Sequence, residues 1–262
     1  TLFLILSTLF PLQRGAARIA GLDLGCDAHQ VRRIIGVVFQ SPSLDPKLTV
    51  RENLEAQGHL YGLAGGRLQQ RIQALLRQLG LEQRQEEVVE TLSGGLRRRV
   101  EIAKALLHKP PVLLLDEPST GLDPVARRDL IEHLRELCRQ DGITVLLTTH
   151  ILEEAEHCDR ILLLHRGRAV AEGAPEQLKQ RVRGDVVIFE SSDPEALGKA
   201  IEMRFGLQTD ARDGLVRVEV PNGHRFIAEV VEACPRLVTS VALHKPTLED
   251  VFIDETGDRL SP

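Results

Sequence analysis

The sequence predicts an α/β protein: a parallel sheet covered by helices, a helical subdomain inserted between its strands, and a small α+β domain toward the C-terminal end. Three short apolar runs predict the sheet, IIGVVFQ (Ile34–Gln40), VLLLDEP (Val112–Pro118) and ITVLLTTH (Ile143–His150), each stopping abruptly on a polar residue. Apolar runs with little alternation suit strands buried on both faces, as in a parallel sheet between helical layers. The stretch joining the second run to the third has apolar residues at helical spacing, so strand, helix and strand make a parallel crossover unit. After Gly184 the order of elements changes and a separate small domain begins.

Composition narrows the class. Lys and Arg number 33 against 38 Asp and Glu, a net charge of −5, and 42% of the 262 residues are hydrophobic. That mixture is typical of a soluble globular protein, and the negative balance argues against nucleic acid as the main partner. Cys26, Cys138, Cys158 and Cys234 lie far apart with no CxxC pair. Spacing therefore suggests neither a disulfide framework nor a zinc ribbon, and a reducing cytosol is the simpler setting.

The opening apolar stretch from Leu2 to Leu12 carries Ser7, Thr8 and Pro11. It falls short of the roughly 18 to 20 residues that cross a bilayer and has no basic flank of the signal-peptide kind, so it is expected to be a first buried helix. The first strand follows and ends on Gln40. From about Val50 to Thr91 the helical patterns RENLEAQGHLYGL and RLQQRIQALLRQLGL, broken by Gly65 and Gly66, form the inserted subdomain.

Ser93-Gly94-Gly95 then precedes a helical run with Val100, Ala103, Leu106 and Leu107 on one face. Backbone amides at such a helix start form a ready site for anionic oxygens, although Ser-Gly-Gly is also a common turn. Arg97, Arg98 and Arg99 are most simply a solvated helix face. The second strand ends on two adjacent carboxylates, which is costly unless a cation or proton shares the site. A nucleotide-bound Mg²⁺ is one such cation, with Asp116 holding it through water and Glu117 placed as base for a nucleophilic water; plain helix capping is the other reading.

Asp123 followed by Pro124 fits an N-cap with proline at the first helical position. The crossover helix follows, with Val125, Leu130, Ile131, Leu134, Leu137 and Cys138 at helical spacing and Gly142 closing it. His150 closes the third strand: a capped surface histidine, or a polar sensor of a phosphate. Gln40 is likewise a loop glutamine or a residue facing water and metal. Gln40, Asp116, Glu117 and His150 converge on the carboxyl edge of the sheet, where open parallel sheets bind ligands.

Beyond the linker Lys179–Gly184, the segments VVIFE, PEALGKAIEMRF, GLVRVEV, HRFIAEVVEAC and VTSVALH give a βαββαβ order, which matches a ferredoxin-like domain over about 184–245, with a tail from 246 to 262.

In this order FQ, LSGG, LLLDEP, GLD and TTH resemble the nucleotide-binding domain of ATP-binding cassette (ABC) transporters over roughly residues 1–180, with the helical subdomain at about 50–108. The resemblance implies a P-loop NTPase-like core, with ATP and Mg²⁺ as cofactors. Gln40 falls in the Q-loop, Ser93, Gly94 and Gly95 in the signature, Asp116 and Glu117 in Walker B, Asp123 in the D-loop and His150 in the switch. Leu96 stands where the family usually has glutamine. Two copies, as a homodimer or heterodimer, are then expected to sandwich two nucleotides head to tail. In that arrangement Glu117 polarises the attacking water, Asp116 and Gln40 order Mg²⁺, and His150 contacts the γ-phosphate. The dimer drives a separate integral membrane permease, which sets the subunit in the cytoplasm on the inner face of the membrane.

Ser41–Leu54 and Lys245–Leu260, with the small domain between them, look like the drug-export type, whose members serve antibiotic self-resistance or polysaccharide and lipid export. In the family the helix reading TLFLILSTLF follows directly on the phosphate-binding loop G-x-x-x-x-G-K-[ST]. Thr1 is therefore expected beside the bound phosphates, with that loop outside this sequence. Two readings stay open: an ATPase whose loop precedes Thr1, and a degenerate cassette that acts as a binding or regulatory partner. DNA-repair and translation cassettes usually carry two cassettes or long insertions, so transport fits a single cassette better.

Overall fold

The computed structural model describes residues 1–182 and 184–257. Two compact units divide between His150 and Ile151. The first runs α1 (Leu2–Leu6), β1 (Arg18–Ile19), β2 (Leu22–Asp23), α2 (Ala28–Ile34), β3 (Ile35–Val38), α3 (Val50–Leu60) and α4 (Gly65–Gln78). Two 3₁₀ turns follow, then α5 (Gly94–Leu106), β4 (Val112–Asp116), α6 (Pro124–Asp141) and β5 (Thr144–Thr148).

Strands β3, β4 and β5 pair in that order, all parallel, as the three apolar runs predict. Side chains alternate across a strand, and β4 serves two cores. Leu113 and Leu115 join Leu54, Ile72, Val100, Leu106 and Leu134 on one side. Leu114 joins Phe3, Val31 and Ile35 on the other. Gly36 in β3 lets α5 lie directly on the sheet, because a Cβ there would come within 2.6 Å of the Ala105 carbonyl oxygen.

Three expectations need correction. The third run is not buried on both faces: β5 is an edge strand, with Val145 and Leu147 against the helical core and Leu146 42% exposed. The opening helix is shorter than the apolar run, ending at Leu6. Ser7 Oγ donates back to the Leu4 carbonyl, Thr8 turns to φ +62°, and Leu9 and Phe10 are exposed. In α6, Leu130, Ile131, Leu134 and Leu137 are buried as the spacing predicts, but Val125 in the first turn is 70% exposed. Asp123 caps that helix and Gly142, at φ +65°, closes it.

His108 ties the end of α5 to its neighbours. Its ring stacks on Tyr61 at 3.9 Å between centroids, and Nε2 lies 3.0 Å from the Ile35 carbonyl. Nδ1 is buried without a partner among the described residues. Burial holds the imidazole pKa below the usual histidine value, Arg71 acts the same way, and the bond to Ile35 opposes them. The unfolded chain thus binds this proton more readily, so the contribution of neutral His108 is complete above about pH 6.5. It is lost as pH falls through the lowered folded value. Melting temperatures should drop more steeply on acidification below about pH 6.5 than those of His108→Gln; equal slopes would contradict this.

The second unit opens with α7 (Leu152–Ala155), the hairpin β6 (Ile161–His165) and β7 (Arg168–Gly173), and α8 (Pro175–Lys179). The predicted βαββαβ order follows as β8 (Asp185–Ser191), α9 (Pro194–Phe205), β9 (Asp210–Arg212), β10 (Leu215–Val220), α10 (Gly223–Ala233) and β11 (Val238–His244). The sheet order is β11-β8-β10-β9, antiparallel throughout. One face packs Val187, Phe189, Val216 and Val218 against Leu197, Ile201, Phe226 and Val230. A second core joins Ile161, Leu163, Leu178 and Val186 to Leu248 and Val251. The latter two lie on α11 (Leu248–Thr256), inside the segment expected as a tail and started by a Thr247–Asp250 capping box. Residues 258–262 of that tail and Arg183 of the linker lie outside the described residues.

Candidate active site

Parallel strands with equal registers bring their carboxyl ends to one edge, and the four residues expected at that edge lie there. Gln40 follows β3, Asp116 ends β4 and Glu117 comes next, while His150 lies just past β5. Glu117 Oε2 accepts from Gln40 Nε2 at 3.2 Å and from Thr120 Oγ1 at 3.0 Å. Its Oε1 lies 3.3 Å from His150 Nδ1. The carboxylate is held by three side chains from separate segments yet stays 31% exposed, so it remains open to water.

Glu117 stands at φ +44°, a conformation that a residue with a Cβ rarely adopts. Its N–H donates to both the carbonyl and the hydroxyl of Thr148, each at 3.1 Å. The Thr148 hydroxyl in turn donates to Asp116 Oδ1 at 2.5 Å. One threonine thereby aims both acids: it orients the Asp116 carboxylate and anchors the turn that swings Glu117 toward Gln40 and His150.

Ser93 caps α5, its Oγ accepting from the Leu96 N–H. The amides of Gly94 and Gly95 belong to the first turn, whose N–H groups have no partner within the helix. Gly94 is exposed, and a Cβ there would make ordinary contact with Leu122 at 3.6 Å; at Gly95 it would lie 3.1 Å from Ala126 Cβ. The glycines therefore keep the helix start bare and close to the Gly121-Leu122-Asp123 loop. A groove of about 370 Å³ is lined by Gln40, Gly94, Arg98, Glu117, Thr120 and Leu122, so the Ser-Gly-Gly turn and Glu117 border one space.

Two further expected site residues are placed by local hydrogen bonds. Asp123 Oδ1 accepts the N–H groups of Val125 and Ala126, each at 3.0 Å, and serves as the cap of α6. Thr1 is exposed at the cap of α1, its carbonyl accepting from Ile5.

Sequence reading missed Thr120, Thr148 and Arg98. The arginine triplet is not a uniform solvated face: Arg97 is exposed, Arg99 pairs with Asp129 at 3.1 Å, and Arg98 is buried. Helical phase was the available signal, since Arg98 is three and four residues before Glu101 and Ile102, which are both buried.

The donors suit a hard divalent cation. Asp116 Oδ2 takes no hydrogen bond among the described residues, because Thr148 uses Oδ1, and Gln40 turns its amide nitrogen to Glu117, leaving Oε1. No cluster of three or more His, Cys, Asp or Glu side chains forms a protein cage among the described residues. Mg²⁺ is usually held by one or two carboxylates together with substrate phosphates, so this sparse oxygen set fits it.

The ABC transporter family profile matches residues 1–120. A daunorubicin resistance ATP-binding protein of Streptomyces coeruleorubidus is 39% identical, over 97% of this chain and 82% of that protein. The chain belongs to the ABC transporter family. It is an ATP-binding subunit and ATPase of the ABC type. A Nod factor export ATP-binding protein I of Ralstonia nicotianae is 37% identical, over 98% of this chain and 81% of that one. Among solved structures, an ATP-binding cassette in a dimeric post-hydrolysis state with ADP and Pi is 30% identical with a TM-score of 0.59, covering 66% of this chain and 78% of that one. Names given to relatives thus include drug resistance and export, as the drug-export resemblance implies.

Proposed function

We propose that this ABC subunit hydrolyses Mg²⁺-ATP to power export of a drug, antibiotic, lipid or polysaccharide through a separate integral membrane permease. The observation that carries the reading is the Glu117 carboxylate held jointly by Gln40, Thr120 and His150. A carboxylate fixed in place and open to water is placed to orient a nucleophilic water and take its proton. His150 gives Nδ1 to Glu117, leaving Nε2 to contact the γ-phosphate. Asp116 Oδ2 and Gln40 Oε1 would hold Mg²⁺, which when bound neutralises charge on the phosphates.

The bare start of α5, Ser93-Gly94-Gly95, closes over nucleotide held by a second copy, a reading supported by the dimeric state of the similar cassette. Asp123, as the cap of α6, fixes the loop beside that turn. No described helix is long and apolar enough to cross a membrane; we place the subunit on the cytoplasmic face through its permease. The relatives, named as ATP-binding proteins of resistance and export, do not favour a degenerate regulatory cassette.

Vesicles carrying the full-length protein with its permease should accumulate the exported compound only with ATP, and not with Glu117→Gln. Accumulation without ATP would contradict the reading. Thr148 supplies a second check. Thr148→Val keeps shape but leaves Asp116 Oδ1 without its donor, so the Mg²⁺ concentration for half-maximal activity should rise by about tenfold, the usual effect of losing a partner that orients a metal ligand. Thr148→Ser should restore it, and an unchanged Mg²⁺ requirement in the valine variant would remove Thr148 from this role.

A further inference from the structure

Arg98 is 8% exposed, and each of its guanidinium N–H groups has an acceptor. Nε donates to the Pro118 carbonyl at 2.8 Å, and Nη1 to the Phe39 carbonyl and Glu101 Oε2, both at 2.7 Å. Nη2 donates to the carbonyls of Asp116 and Glu117 at 3.0 and 3.3 Å. A guanidinium has five donors in a planar fork, so all are engaged.

The acceptors are what matter. Three consecutive carbonyls, of Asp116, Glu117 and Pro118, converge on one side chain, and Glu117 among them has the left-handed φ of +44°. Such a conformation persists where the surroundings over-determine it. Here Thr148 holds the Glu117 N–H and Arg98 holds its carbonyl. The fourth carbonyl belongs to Phe39, directly before Gln40. Glu101 extends the link, because its Oε1 accepts from the Ser43 N–H at 2.8 Å while Lys104 Nζ donates to the Ser43 carbonyl at 2.6 Å.

We propose that Arg98 is a positioning residue: from α5 it fixes the backbone turn that aims Glu117 and the base of the Gln40 loop, so that the Ser93-Gly94-Gly95 turn and the acid of the same chain move as one piece. The proposal rests on the reading of Glu117 as the base. Its consequence is coupling between sites, since closure of the glycine turn over the second copy's nucleotide reaches Glu117 through one turn and a half of a single helix. Lysine cannot substitute, because its ammonium is a point charge with three donors and no fork.

The test uses the full-length protein with saturating Mg²⁺. Arg98→Lys keeps the charge beside Glu101 but loses the fork. It should lower kcat for ATP by about tenfold or more, the scale of effect from a slightly misplaced catalytic group. KM should stay within about twofold, since Arg98 contacts backbone and not nucleotide. A folded Arg98→Lys protein with the kcat of wild type, or one whose KM rises while kcat holds, overturns the proposal. If Arg98→Lys does not fold, Glu101→Gln decides: its single amide oxygen can accept from Arg98 or from the Ser43 N–H but not from both, and the charge that holds the fork is lost. A lower kcat at unchanged KM supports the proposal, and wild-type kcat overturns it. Glu117→Gln separates the two levels: normal turnover there overturns the functional reading itself, whereas an inactive Glu117→Gln beside an active Arg98→Lys overturns the Arg98 proposal alone.

Discussion

Glu117→Gln is expected to lower ATP turnover by about two to four orders of magnitude, the range for removal of a general base, while ATP still binds. The substitution is close to isosteric. An amide oxygen can still accept from Gln40 and Thr120, which now meet Oε2 at 3.2 and 3.0 Å. The left-handed turn is held through backbone groups, by Thr148 and Arg98, and does not depend on the carboxylate. What disappears is basicity toward water, together with the carboxylate oxygen that faces His150 Nδ1. An ATP-bound dimer should therefore accumulate, visible as a shift in size on adding ATP that persists over time, alongside the loss of phosphate release. Normal phosphate release would remove Glu117 from the role of base.

Gly94→Asp should lower turnover by about two to three orders of magnitude, comparable with removing one preorganised donor from a transition-state site, without unfolding the protein. Gly94 is exposed and its φ lies outside the left-handed region; a Cβ meets only Leu122, at 3.6 Å. A carboxylate in the first turn favours the helix by roughly 0.3–1 kcal/mol, so the melting temperature should hold or rise. The same carboxylate occupies the place of an incoming phosphate and repels it. Loss of turnover with retained stability is the expected pair of results. Turnover near wild type would mean that the glycine turn does not meet nucleotide.

Much of this was legible in the sequence, because apolar runs ending on polar residues follow directly from a sheet buried between helices. The three runs gave β3, β4 and β5 with Gln40, Glu117 and His150 at their ends, and the late change in element order gave the four antiparallel strands of the second unit. What escaped depends on neighbours that a linear pattern does not contain. Leu146 is exposed because it lies on the face of β5 opposite the helical core that takes Val145 and Leu147, not because its run looks different. Leu9 and Phe10 are apolar, yet the left-handed Thr8 takes them out of the helix. Thr120 and Thr148 read as ordinary loop and strand residues, and only the fold puts their hydroxyls on the acids. Arg98 looked like one of three solvated arginines, and only the fold brings the start of α5 to the end of β4 and buries it against three consecutive carbonyls.

The most direct measurement is steady-state phosphate release from Mg²⁺-ATP by the purified full-length protein over a wide range of protein concentration, wild type beside Glu117→Gln. A site built from the Glu117 cluster of one copy and the Ser93-Gly94-Gly95 turn of another predicts activity per chain that rises with concentration, then levels off, and is absent in the variant. Activity per chain that is constant on dilution and untouched by Glu117→Gln would contradict both the two-copy site and the residue assigned as its base.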